Sequence, residues 1–169
     1  MEAAMKKTFD PGDLVVYKNK GVCVITGVEK KKFSSMEETE YYVISSVSDK
    51  RYKGYVPTGT AEQLIRPLPS KEQIGDIIKD SLRMDADYIE DRKKRSDHYN
   101  AAVRRDDERE LLCLYRMLDG RKAADMKMPA SDVNMMAYIE RQINEIFSAG
   151  LGIEKENVGE YIRKTAEEG

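Results

Sequence analysis

Phe9 to Gly27, F-D-P-G-D-L-V-V-Y-K-N-K-G-V-C-V-I-T-G, is the stretch whose reading decides the fold. Pro11-Gly12 punctuates the entry, and Leu14 to Tyr17 is an apolar, β-branched run. Lys18 to Gly21 then supplies a polar connection ending in glycine, and Val22 to Val28 is a second β-branched run. The pattern is that of a hairpin. Two strands alone are marginal in water, so Tyr41 to Val47 and Tyr52 to Val56 are expected to complete and close the sheet.

Working outward, residues 1 to 8 read as a frayed start and Ser34 to Glu40 as an exposed polar loop. Between Arg51 and Val56, Tyr52, Gly54 and Val56 alternate with Arg51, Lys53 and Tyr55, so one face is apolar and the other basic and aromatic. Gln63 to Arg66 is a candidate closing strand. The first 66 residues therefore predict a small β-barrel of the SH3 or Tudor kind. Pro67-Leu68-Pro69 marks a boundary, and the hydrophobic period changes after it from two to near 3.6.

Residues 70 to 169 predict an all-α bundle of about five helices, and the chain as a whole is of the α+β class. Ser70 and Gln73 form the S-x-x-Q box of a helix start, followed by Ile74, Ile77, Ile78 and Leu82 on one face. Asp85 or Asp87 is expected to cap a second helix running to about Val103. Leu111, Leu112, Tyr115 and Leu118 stripe a third that stops near Gly120. A fourth is expected from an N-cap at Ser131 to a stop at Gly150, burying Met135, Met136, Ile139, Ile143, Ile146 and Phe147. Val158, Tyr161 and Ile162 give a fifth.

Composition narrows the function. The formal net charge is −2, with 11 Lys/Arg against 9 Asp/Glu before residue 70 and 18 against 22 after it, so a general nucleic-acid coat is excluded and any DNA contact must come from a local patch. No apolar run approaches a membrane span, and the first residues lack a signal-peptide core, so a cytoplasmic protein is expected. Cys23 and Cys113 are far apart and read as small buried thiols, with no disulfide or metal cluster implied.

Catalysis is poorly provisioned. The single histidine, His98, lies in a charged helix, and the acidic pairs Asp106-Asp107 and Glu37-Glu38 are adjacent, with nothing setting them around a cleft. Gly54 to Thr60 lacks the spacing and lysine of a phosphate loop. No enzyme, cofactor or catalytic residue is expected. The methionines of the second half read better as core than as an adaptable binding surface. Arg92-Lys93-Lys94-Arg95 is more pointed, because on a helix Tyr88, Arg92, Arg95 and Tyr99 would share a stripe able to follow a phosphate backbone. A solvated face is the alternative, since Glu90, Asp91 and Asp97 interleave with the cations.

The motif F-D-P-G-D-L-V-V-Y-K-N-K-G-V, with the strand Gly54-Tyr55-Val56-Pro57, resembles the polymerase-interacting domain of the CarD and CdnL family, a domain also found in the transcription-repair coupling factor. Leu114-Tyr115-Arg116 and the patterns at Ser131 to Phe147 and Gly152 to Ile162 are similar to the family's later helices. The resemblance implies a bacterial transcription regulator that binds the β subunit of RNA polymerase through its barrel. The helical domain would then lie against promoter DNA and stabilise the open complex.

It further implies a polymerase-binding set of Lys30, Lys31, Lys32, Lys53 and Tyr55, and a DNA-binding set of Tyr88, Arg92, Lys93 and Arg95. Lys31 stands where the family tends to carry a polymerase-contacting arginine, and Tyr55 where it often carries another. Tyr88 occupies the place of a tryptophan that wedges into the minor groove; this chain has no tryptophan. The free protein is expected to be a monomer. The second reading is a protein-protein adaptor that has lost DNA contact, and the third an enzyme or RNA-binding barrel.

Overall fold

The computed structural model describes residues 9–34 and 37–168; the expected frayed start and part of the expected polar loop lie outside them. The chain divides into two compact units, Met1–Leu68 and Pro69–Gly169.

The first unit is a five-stranded antiparallel sheet built from β1 (Leu14–Tyr17), β2 (Gly21–Lys31), β3 (Thr39–Ser46), β4 (Lys53–Pro57) and β5 (Ile65–Pro67), in the order β4-β3-β2-β1-β5. The opening hairpin pairs as its pattern dictates, Val15 against Cys23 and Tyr17 against Gly21. Gly21 adopts φ 86°, a left-handed conformation that glycine takes without steric cost. Every strand contributes to one core of Val15, Cys23, Ile25, Tyr42, Ile44, Val56 and Ile65, joined by Phe9 and Ala61.

The sheet is open. The closing strand is too short and too poor in donors to complete a barrel, since β5 has three residues and one is proline. Two 3-10 turns over Thr58–Gln63 connect β4 to β5 instead, and they bury Ala61 in the core. The closed barrel expected from the sequence is therefore a curled sheet with two edges, β4 and β5.

The second unit holds α1 (Lys71–Leu82), α2 (Arg92–Arg105), α3 (Glu108–Ala123), α4 (Ala130–Leu151) and α5 (Val158–Glu168). The first cap forms as read: Ser70 Oγ accepts from Gln73 N at 3.1 Å, and Gln73 Oε1 accepts from Ser70 N at 2.9 Å. Ser70→Ala should therefore cost about 1 kcal/mol in urea unfolding, because the Gln73 amide loses its acceptor. Ile77 and Ile78 of α1, Leu111 and Leu118 of α3, and Met135, Ile139, Ile146 and Phe147 of α4 are buried, so the paired methionines of α4 do fill the core.

Four helix boundaries differ from expectation, one of them the end of α3, which runs past Gly120 to Ala123. Asp91, and neither Asp85 nor Asp87, caps α2, its carboxylate accepting from Lys94 N at 2.9 Å. Helix α4 begins two residues early, after Pro129, and runs past Gly150 to a left-handed Gly152, so Ser131 is not its cap. Pro129 supplies the carbonyl for the Asp132 and Val133 amides and leaves the hydroxyl of Ser131 nothing to cap.

Candidate functional site

Strand β2 carries a bulge between Ile25 and Gly27, and it decides which side chains meet on the first unit. Cys23 and Ile25 point into the core, so strict alternation would send residues 29 and 31 to the same face. The extra residue, Thr26, reverses the parity, and its hydroxyl donates to Val43 O at 3.1 Å. Glu29 then opposes Tyr41 and Lys31 opposes Thr39, on the face away from the core.

On β4 the same face takes Lys53, opposite Ser45, and Tyr55, opposite Val43. Lys31 Nζ lies 5.0 Å and Lys53 Nζ 5.6 Å from the centre of the Tyr55 ring. Two ammonium groups around one aromatic ring form a small cationic platform. The sequence missed its other half. Phe33 and Tyr41 stand edge-on to Tyr55, at 5.8 Å and 6.3 Å, and to each other at 5.2 Å. Phe33 is 42% exposed, an aromatic anchor of the sort that protein interfaces bury.

Lys30 is separated from this group, because it opposes Glu40 on the core-side face; Lys32 follows the end of β2 and is exposed. Lys31 also lies 3.8 Å from Glu29, an exposed pair worth little in water. The platform borders β4, an edge strand whose outer backbone groups pair with no strand of the described sheet.

In the second unit the expected single stripe is broken. Tyr88 precedes α2, so it does not share a helix with Arg92 and Arg95. Its hydroxyl donates to Asp132 Oδ2 at 2.7 Å while Tyr99 donates to Oδ1 at 2.7 Å. Arg95 Nε lies 3.3 Å from that same Oδ1, an ion pair without the angle of a hydrogen bond. Its Nη1 donates to the carbonyls of Ile89 and Glu90, each at 3.0 Å. Two guanidinium groups lie over the Tyr88 ring, Arg121 at 3.4 Å and Arg95 at 5.1 Å from its centre.

Arg95 is 6% exposed and Asp132 0%. Both are internal groups. Of the four residues assigned to DNA, Tyr88 and Arg95 thus hold the start of α2 in place, whereas Arg92 and Lys93 lie exposed in its first turn with Lys94. The Asp91 carboxylate already takes the Lys94 amide at this end, so what the turn offers an anion is its three exposed cations. Among the described residues no group of three or more His, Cys, Asp or Glu is placed to hold a metal ion, and no helix is long and apolar enough to cross a membrane.

No curated protein matches the chain. Residues 9–69, the whole of the described sheet, match the family described as CarD-like/TRCF RID domain; the match stops at the start of the helical unit.

Proposed function

We propose that this protein is a bacterial transcription-initiation regulator, not an enzyme, that docks on the β subunit of RNA polymerase through the β4 edge and the platform beside it. The observation that carries this reading is the convergence of Lys31, Lys53 and Tyr55 with Phe33 and Tyr41 on the face bordering an unpaired edge strand. An edge adds a partner strand through main-chain bonds, aromatic side chains supply the buried centre, and the lysines set register and sign.

Arg92 and Lys93, with Lys94, are the groups we assign to promoter phosphates, and through them the protein would stabilise the open complex. We give Tyr88 no wedging role, because its ring lies against Arg121 and Arg95 and its hydroxyl is bonded to Asp132. The adaptor reading keeps the polymerase contact and drops the DNA.

Lys31→Glu is expected to abolish co-purification with the β subunit, since it reverses a charge and removes a cation from Tyr55. Equal recovery of the β subunit would place the interface elsewhere. Arg92→Glu with Lys93→Glu should keep that co-purification but shorten the open-complex lifetime; an unchanged lifetime favours the adaptor.

A further inference from the structure

The register that builds the platform also gathers charge at one end of the sheet. The β1–β2 turn is Lys18-Asn19-Lys20, and the β3–β4 connection is Val47-Ser48-Asp49-Lys50-Arg51-Tyr52. Tyr17 pairs with Gly21 and Cys23 with Ser46, while Val47 N donates to Val22 O at 3.0 Å, so both turns project from the same end of adjacent hairpins. Lys20 Nζ lies 5.2 Å from the centre of the Tyr52 ring, which links one turn to the other.

Neither turn is loosely held. Lys18 N donates to Leu64 O at 2.9 Å, Lys20 N to Tyr17 O at 2.8 Å and Tyr52 N to Asp49 O at 3.0 Å. Lys18, Lys20, Lys50 and Arg51 are all exposed, the Arg51 side chain at 94%. Asp49 is the one acid in either turn; its Oδ1 accepts from Arg51 N at 3.1 Å and from Arg51 Nε at 3.4 Å, an exposed ion pair that water screens and that a phosphate can replace.

We propose that this end is a nucleic-acid contact in its own right, one that takes the phosphate backbone of duplex DNA without reading sequence. Four neighbouring strands at ~4.8 Å spacing span roughly 14 Å, a length over which duplex DNA presents about eight phosphate charges. Exposed lysines on fixed turns suit such a partner: they are point charges that need no pocket. An acidic protein surface is the weaker fit. Protein interfaces are depleted in lysine and centre on buried aromatic anchors, whereas this end offers one exposed aliphatic, Val47, and a Tyr52 ring half-buried beside Lys20.

The contact is independent of the polymerase platform, whose Lys31, Lys53 and Tyr55 are untouched by the test. The full chain is titrated with a fluorescent duplex of arbitrary sequence over a range of salt, as wild type and as Lys18→Gln/Lys20→Gln/Lys50→Gln/Arg51→Gln. Each lost phosphate contact removes roughly 0.9 from the slope of log affinity against log salt, so the slope should shrink by about 2 to 4 units. Lys50→Gln and Arg51→Gln alone, on an exposed turn, should each remove about one unit, which holds even if the fourfold variant folds poorly.

Three outcomes overturn the proposal. The wild type does not bind the duplex at low salt; the slope is unchanged in the variants; or the variants bind DNA normally and lose the β subunit instead, which would make the end a protein contact. Loss of the β subunit by Lys31→Glu alone bears on the polymerase reading and leaves this one standing.

Discussion

Asp132→Ala should lower the stability of the helical unit by about 3 to 5 kcal/mol, the range for breaking a buried charge pair from one side. Asp132 is fully buried and serves three partners from two segments: the hydroxyls of Tyr88 and Tyr99, each at 2.7 Å, and the guanidinium of Arg95. Removing it leaves a 6%-exposed Arg95 without its counter-charge and two phenols without their acceptor. For a unit of this size such a loss corresponds to a melting temperature lower by roughly 12 °C or more. Far-ultraviolet circular dichroism, dominated by the helices, reads it directly. A shift of a degree or two would mean that Arg95 finds water or another carboxylate without cost.

The same variant has a functional consequence. Helix α2 is polar along most of its length and buries Arg95, Tyr99 and Ala102, two of which rest on Asp132. Its first-turn cations are therefore only as well placed as this carboxylate makes them.

A pH dependence follows from the tyrosines. Burial first, and then the hydrogen bond to Asp132, raise the hydroxyls of Tyr88 and Tyr99 above their ordinary value. Burial and the Glu140 carboxylate push Tyr115 up to about 12. Each folded value exceeds its unfolded one, so the protonated phenol is the form the fold prefers. That stability is complete below the unfolded value of about 10 and is lost as pH rises through the raised folded values. Wild-type stability should fall above about pH 10. The gap between wild type and Asp132→Asn should narrow over the same range, because the variant has less of this preference to lose.

What the sequence made legible was local. Ser70 and Gln73 are three residues apart, and their reciprocal bonds need nothing from the rest of the chain. The opening hairpin is equally self-contained. The platform was half legible: Lys31, Lys53 and Tyr55 came from the motif, while Phe33 and Tyr41 depended on a bulge at Thr26 that no alternation rule could place, since it reverses that rule. The Asp132 cluster was not legible at all. It joins residues 44 and 33 positions apart, and a run reading as a solvent-facing cationic stripe gave up Arg95 to an interior pair. The capping of α2 failed for a related reason, because three aspartates precede the helix and only packing selects Asp91.

Gly150→Ala and Gly120→Ala should change stability in opposite directions, although both replace a glycine within a helix. In the abstract each gains about 0.5 to 1 kcal/mol from the smaller backbone entropy of alanine. At Gly120 an added methyl meets nothing within 4 Å, so that gain is expected to be realised in full. At Gly150 it would stand 2.6 Å from Pro69 O and 2.7 Å from Ile74 Cδ1. A carbonyl of the backbone cannot rotate out of the way, and Ile74 is itself completely buried. Overpacking of this kind costs about 1 to 3 kcal/mol, enough to exceed the propensity gain, and larger side chains at Gly150 should cost more. Urea unfolding of the two variants beside wild type gives the sign of each. If Gly150→Ala also stabilises, the end of α4 can move away from Pro69, and the close approach that now excludes a side chain is not required by the fold.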